Sequence, residues 1–310
     1  MLKVNKNQPA SKFHSLHNEI SYHLMLLPSV IIVFIFAYIP LYGLTIAFKN
    51  FNPAKGILGD NPWCGLDNFE YIFSIPNIGR VFFNTVTIAV GKIVVGTVVA
   101  IAVALLLNEC TVKWLKHGVQ TLIYFPYFIS WIILAGILQD ILSPSSGVVN
   151  QIIKMLGGSP VYFLGDNKVF RETMVLSEVW RSFGYNSIVY LAAITSIDPT
   201  LYEAAEIDGA GRLRKLLHIT LPGMSTIIIL MCVLNLGNVL NAGFDQIFNL
   251  YSVQVYESGD IIDTLVYRIG LQQAKFGPST AVGLLKSIIS FTLISFAYLF
   301  AWKKYDYKIF

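Results

Sequence analysis

At 310 residues the chain is 55% hydrophobic, 14% aromatic and only 13% charged, with a mean hydropathy of +0.62. A soluble domain carries about a quarter charged residues, so this composition excludes a soluble enzyme or regulator and defines a polytopic, all-α membrane protein. The net charge of +4 and the pI near 8.8 come without a basic block, which argues for lysine and arginine bias in membrane loops and against nucleic-acid binding.

Residues 1–23 form a polar, basic tail. The apolar run that follows is too long for a signal-peptide core and has no small-x-small cleavage site, so it is expected to stay as a membrane span. Six segments approach the ~20 apolar residues needed to cross a bilayer: 24–48, 81–107, 119–142, 174–196, 223–248 and 281–302, followed by a short tail at 303–310. Pro28, Pro40 and Pro126 are expected to kink their helices. Lys92 interrupts the second span and either pairs with Glu178 or lines a cavity; Lys286, in the sixth, is expected to snorkel. Glu178, Arg181 and Asn186 weaken the fourth span, and Asn235, Asn238 and Asn241 weaken the fifth. Such residues usually face a polar interior.

Counting Lys and Arg in the loops gives eleven on the side of the N-terminus and eight on the other. The positive-inside rule therefore puts both termini and the loop 197–222 in the cytoplasm. The long outer loops at 51–73 and 143–172 carry Trp63, Tyr71, Phe73, Tyr162 and Phe163 among turn residues, as expected of short interfacial helices or a surface for an external partner. Cys64, Cys110 and Cys232 lie far apart in the chain. His14, His17, His117 and His218 have no metal-ligand spacing, so no metal site is expected. No nucleophile–base set is legible and no GxxxxGK[ST] loop occurs, so neither catalysis nor nucleotide binding is expected of this chain.

Between the fourth and fifth spans lies a polar stretch with structural periodicity. Asp198 suits an N-cap with Pro199 at the first helical position. Leu201, Ala204 and Ala205 form one apolar face and Glu203 and Glu206 the polar one. Gly209 and Gly211 break that helix. A second short helix follows, with Leu213, Leu216 and Leu217 opposite Arg212, Arg214, Lys215 and His218, and Pro222 opens the next apolar run.

The spacing Glu203-Ala204-Ala205, then Gly209, Ile219, Leu221 and Pro222, matches the signature loop of permease subunits of bacterial ATP-binding-cassette importers. Further stretches extend the resemblance over most of the chain: 39–57, 122–137, 143–151, 197–212, 243–251 and 260–271. The chain resembles the LplB-type polysaccharide or oligosaccharide permeases, grouped with the larger maltose-permease subunit. That resemblance implies a type I importer permease fold with six spans in the bacterial plasma membrane. It implies a heterodimer with a second permease, two copies of an ATPase that alone hold ATP and magnesium, and an extracytoplasmic solute-binding lipoprotein. Glu203, Ala204, Ala205, Asp208, Gly209, Gly211, Arg212, Ile219, Leu221 and Pro222 would couple to the ATPase.

Depth and period place Glu178, Arg181, Asn235, Asn238 and Asn241 around one aqueous cavity. Trp180, Tyr185 and Asn186 add the rings and amides that bind sugars. The resemblance to the maltose permease, whose sugar contacts lie on the helices flanking the signature loop, implies Ser182 and Val239 as well. Glu178 and Arg181 stand where the maltose permease has neutral residues. The same residues also suit a structural ion pair and interhelical hydrogen bonds. Alternatives to saccharide import are import of another solute, such as a glycerophosphodiester or amino acid, and a membrane sensor or scaffold that retains the loop.

Overall fold

The structure is a computed structural model and describes residues 12–305; 1–11, 306–310 and the side chains of His14 and His17 lie outside the described residues. Helix α1 (Lys12–Val33) runs on through a π turn at Phe34–Tyr38 into a 3-10 stretch at Ile39–Phe48. Pro40, which has no N–H for an α-helical ladder, sits at the head of that stretch. Then come α2 (Asp67–Ser74) and the 32-residue α3 (Ile78–Glu109). Next are α4 (Lys113–Tyr124), α5 (Trp131–Ile141) and α6 (Val148–Met155). Helix α7 (Phe170–Thr195) leads into α8 (Pro199–Ile207), α9 (Arg212–Lys215) and α10 (Leu221–Gly237). After α11 (Phe244–Leu250), α12 (Tyr256–Gly259) and α13 (Ile262–Tyr267), the chain ends in α14 (Phe276–Tyr305).

Among the described residues four helical stretches are long and apolar enough to cross a membrane: Tyr22–Phe48, Ile78–Glu109, Arg212–Gly237 and Phe276–Leu299. A fifth is obtained if the bent pair Lys113–Phe128 and Trp131–Ile141 is one span. Helix α7 is long enough at 26 residues, but its charges keep it below that standard of apolarity.

Three expectations are corrected. The third span, 119–142, is not continuous: it bends by 105° after a 3-10 turn at Phe125–Phe128 that contains Pro126. The fifth, 223–248, ends at Gly237. An irregular turn with Gly243 at φ +92 then leads into α11. Asparagine and glycine are poor helix formers, and four of them cluster between 237 and 243. Finally, the second short helix of the polar loop is not separate. Arg212–Gly237 is one helical run, in which a π turn at Leu216–Thr220 precedes Pro222. The Leu221 N–H reaches back to the Leu216 carbonyl, and this wider turn accommodates a proline that would otherwise break the ladder. Lys286 pairs with Asp263 at 2.5 Å.

The centre is α3 against α7. Small residues let the two backbones come close: a Cβ on Gly91 would fall 2.8 Å from Val175, and Ala100 and Ala104 are fully buried beside Tyr190. Helix α4 meets α7 at Gly184, where a Cβ would sit 2.1 Å from the Ile123 carbonyl oxygen. Gly184→Ala must therefore push α4 and α7 apart. We expect a loss of about 1–3 kcal/mol, read as a lower unfolding midpoint of the purified protein in a thermal scan.

Candidate functional site

A cavity of about 580 Å³ opens between α3, α7, α10 and the two breaks. Its wall includes Glu178, Arg181, Ser182 and Asn186 from α7, and Asn235, Asn238 and Asn241 from the end of α10 and the turn after it. Seven of the ten expected pathway residues thus share one cavity. Trp180, Tyr185 and Val239 do not line it. Val239 is buried in the apolar core with Leu240 and Ile262. Trp180 and Tyr185 are 45% and 41% exposed on other faces of α7. Tyr185 stacks flat on Tyr127, with ring centroids 4.0 Å apart, and Tyr127 is the ring that reaches the cavity.

The cavity exists because two helices stop beside it, and each stop is held by a cation from an unbroken neighbour. A helix end frees carbonyls that must find donors. At the third-span break, Arg181 Nη2 donates to the carbonyls of Tyr127 at 3.0 Å and Ile129 at 3.3 Å. Its guanidinium lies 5.2 Å from the ring centroids of both Tyr127 and Trp131. The Glu178 carboxylate is 3.9 Å from Arg181 Nη1, a loose pair beside that tight clamp.

At the second break Lys92 Nζ donates to the Ala242 carbonyl at 2.6 Å and to Gln246 Oε1. Gln246, fully buried, donates in turn to the Met174 carbonyl and to Ser177 Oγ, both at 2.8 Å. Lys92, Gln246 and Ser177 therefore bolt α3, α11 and α7 together, and Lys92 makes no ion pair with Glu178 within 4.0 Å. Sequence reading noticed Lys92 as an isolated charge in an apolar span but missed Gln246, Tyr127 and Trp131, whose roles depend on contacts distant in the chain.

The asparagines behave differently. Among the described residues the side-chain amides of Asn186, Asn235 and Asn241 have no hydrogen-bond partner, although all three line the cavity. Of the two sequence-based readings, interhelical bonding does not describe these amides, whereas a structural role describes Arg181. No group of three or more His, Cys, Asp or Glu side chains suited to a metal occurs among the described residues.

The loop that follows α7 has a defined geometry of its own. Asp198 caps α8 by accepting from the Thr200 N–H, and that bond holds its carboxyl below the usual aspartate range. Gly209 adopts φ +73, which favours glycine. Glu206 and Lys215 pair at 2.8 Å across the turn, and the pairing lowers the Glu206 pKa. Tyr202 and Thr220 hydroxyls meet at 3.0 Å. Glu203, Ala204, Asp208, Gly209, Gly211, Arg212 and Pro222 are exposed, while Ala205, Ile219 and Leu221 are half-buried. Leu201, Ile207, Leu213 and Leu217 are all at least half exposed, an apolar surface that this chain leaves uncovered.

A bundle of long apolar helices around a polar cavity is the architecture of a transport permease. Residues 96–301 match the family model of the binding-protein-dependent transport system inner membrane component, and the chain belongs to that family. It is 40% identical over 275 residues to the polygalacturonan/rhamnogalacturonan transport system permease protein YteP of Bacillus subtilis, covering 89% of this chain and 85% of that one. It is 38% identical over 284 residues to protein LplB of the same organism, covering 92% and 89%. Among solved structures, a bacterial ABC transporter involved in import of the acidic polysaccharide alginate has a chain that superposes with a TM-score of 0.86. That chain is 37% identical, with 94% of this chain and 98% of that one covered. The fold is that of a type I ABC permease.

Removing the Arg181 clamp orphans carbonyls at the third-span break. Arg181→Met should cost about 1–3 kcal/mol for each group left unpaired, seen as a lower thermal midpoint of the purified protein. Arg181→Lys should recover only part of it, because an ammonium lacks the planar fork.

Proposed function

We propose that the chain is one permease subunit of an ATP-driven importer of oligo- or polysaccharides, and that it forms half of the translocation pathway. The observation that carries the reading is the wall of unpartnered amides in the cavity. Planar amides beside an aromatic ring are suited to sugar hydroxyls and to the apolar face of a sugar ring, and saccharides are named for YteP and for the alginate transporter. In this reading α7 is the fourth crossing and the bent pair the third, which makes six, with both termini in the cytoplasm. Helix α7 tolerates its charges in a membrane because its polar face lines the cavity.

The exposed loop 197–222 is the docking site for one of two ATPase copies, which hold ATP and magnesium; this chain binds no cofactor and performs no covalent chemistry. A second permease completes the cavity and an external lipoprotein delivers the sugar. The uncovered leucines and isoleucine of the loop fit the groove of such an ATPase. The loop follows α7 directly and continues into α10. Arg212 and Asn235 therefore stand on one helical run, about 35 Å apart at 1.5 Å per residue. Movement of the docked loop tilts α10 and shifts the amides at its far end.

The test separates binding from coupling in the reconstituted complex. Gly209→Pro places a residue confined to φ near −65° where +73 is needed. It should abolish sugar uptake while membrane insertion persists. Asn235→Ala should instead weaken substrate affinity about tenfold and leave ATPase docking intact. Normal uptake by the first variant together with unchanged affinity in the second contradicts the reading.

A further inference from the structure

Lys92 has a capacity that its structural role does not exhaust. An ammonium carries three donors, and two are taken, by the Ala242 carbonyl and Gln246 Oε1. Both acceptors are neutral. No carboxylate lies within 4.0 Å of Lys92 among the described residues; Glu178 comes that close only to Arg181, although its charge also acts on Lys92. A cation inside a membrane bundle is costly unless water or an anion meets it, and Lys92 stands on the cavity wall. Arg181, the other cation on that wall, has Nε and Nη2 on the Tyr127 and Ile129 carbonyls, its planar face on two rings, and Nη1 facing the Glu178 carboxylate at 3.9 Å. Lys92 is therefore the cavity cation that has a donor to spare and no carboxylate within 4.0 Å among the described residues.

Its position is also fixed. Gly243, at φ +92, leaves the room that Nζ occupies; a Cβ there would approach Nζ to 3.0 Å. A donor held this firmly binds without first having to be ordered.

We propose that Lys92 is a specificity-determining residue that receives a carboxylate of an acidic saccharide through its third N–H, while the free amides of Asn186, Asn235 and Asn241 take hydroxyls. The proposal rests on the saccharide-import reading and deepens it by naming uronic sugars as the substrate class.

The experiment uses the assembled transporter, purified with its partner permease and ATPase. Binding of trigalacturonate and of its carboxyl-reduced, neutral counterpart is measured by titration, and the ratio of the two dissociation constants is taken within each preparation. That ratio does not depend on the folded fraction. The wild-type complex should prefer the acid, and Lys92→Gln should erase about tenfold of that preference, the worth of one charge-assisted hydrogen bond. Equal weakening of both ligands would overturn the proposal and leave Lys92 as a support for the 238–243 turn alone. Glu178→Gln gives an independent arm, in which loss of a nearby anion should strengthen the acid preference; an unchanged ratio there counts against the proposal. Binding of the neutral sugar alone by the wild type refutes the role of Lys92 but keeps saccharide import, whereas binding of neither refutes both.

Discussion

The structure depends on one constraint: inside a membrane every backbone carbonyl needs a donor, so a helix can stop only where something else supplies one. Two helices stop here, at Ile129 and between Gly237 and Gly243, and α7 and α3 supply Arg181 and Lys92 to the exposed ends. Both cations come from helices that run unbroken past the breaks, and those two helices are packed through glycine and alanine. A rigid pair thus carries the donors, and the interrupted segments gain their shape from it. The cavity is the space that these two interruptions open.

That arrangement separates support from recognition. Arg181 through Nε and Nη2, Gln246 and Ser177 are engaged by the protein, whereas the side-chain amides of Asn186, Asn235 and Asn241 have no partner among the described residues and line the cavity. In the proposed reading, charged groups hold the walls and amides read the cargo, with Lys92 serving both. The continuity of Arg212–Gly237 then gives the cavity a mechanical handle, since the loop that an ATPase would grip and the helix that presents Asn235 are one rod. The π turn at Leu216–Thr220 keeps that rod intact through Pro222.

What was legible in the sequence was local. The Asp198 cap, the proline after it and the glycine turn at 209 follow from contacts within a few residues, and the structure repeats each one. That Glu178, Arg181 and Asn235 share one cavity wall was legible too, because helical rise and period determine it; Asn238 and Asn241 reach the same wall from an irregular turn. The breaks were not. Arg181 holds carbonyls 52 and 54 residues earlier in the chain, and hydropathy reports apolarity without showing where a helix bends. Pro222 misled for a related reason: proline ordinarily opens a helix, and a π turn that carries a helix through it leaves no mark in composition. Tyr185 has the chemistry of a sugar platform, but its helix face turns it away, and the ring that lines the cavity is Tyr127, stacked on it.

In the proposed reading, the cavity opens first outward and then inward as the docked loop moves. That alternation is tested most directly by placing a single reactive thiol in this chain at Asn235→Cys, with Cys64, Cys110 and Cys232 changed to serine, in the reconstituted transporter. A membrane-impermeant thiol reagent is then applied from each side, with and without trapped ATP. The account predicts labelling from outside in the ATP-bound state and from the cytoplasmic side without nucleotide. Labelling from the same side in both states would contradict it.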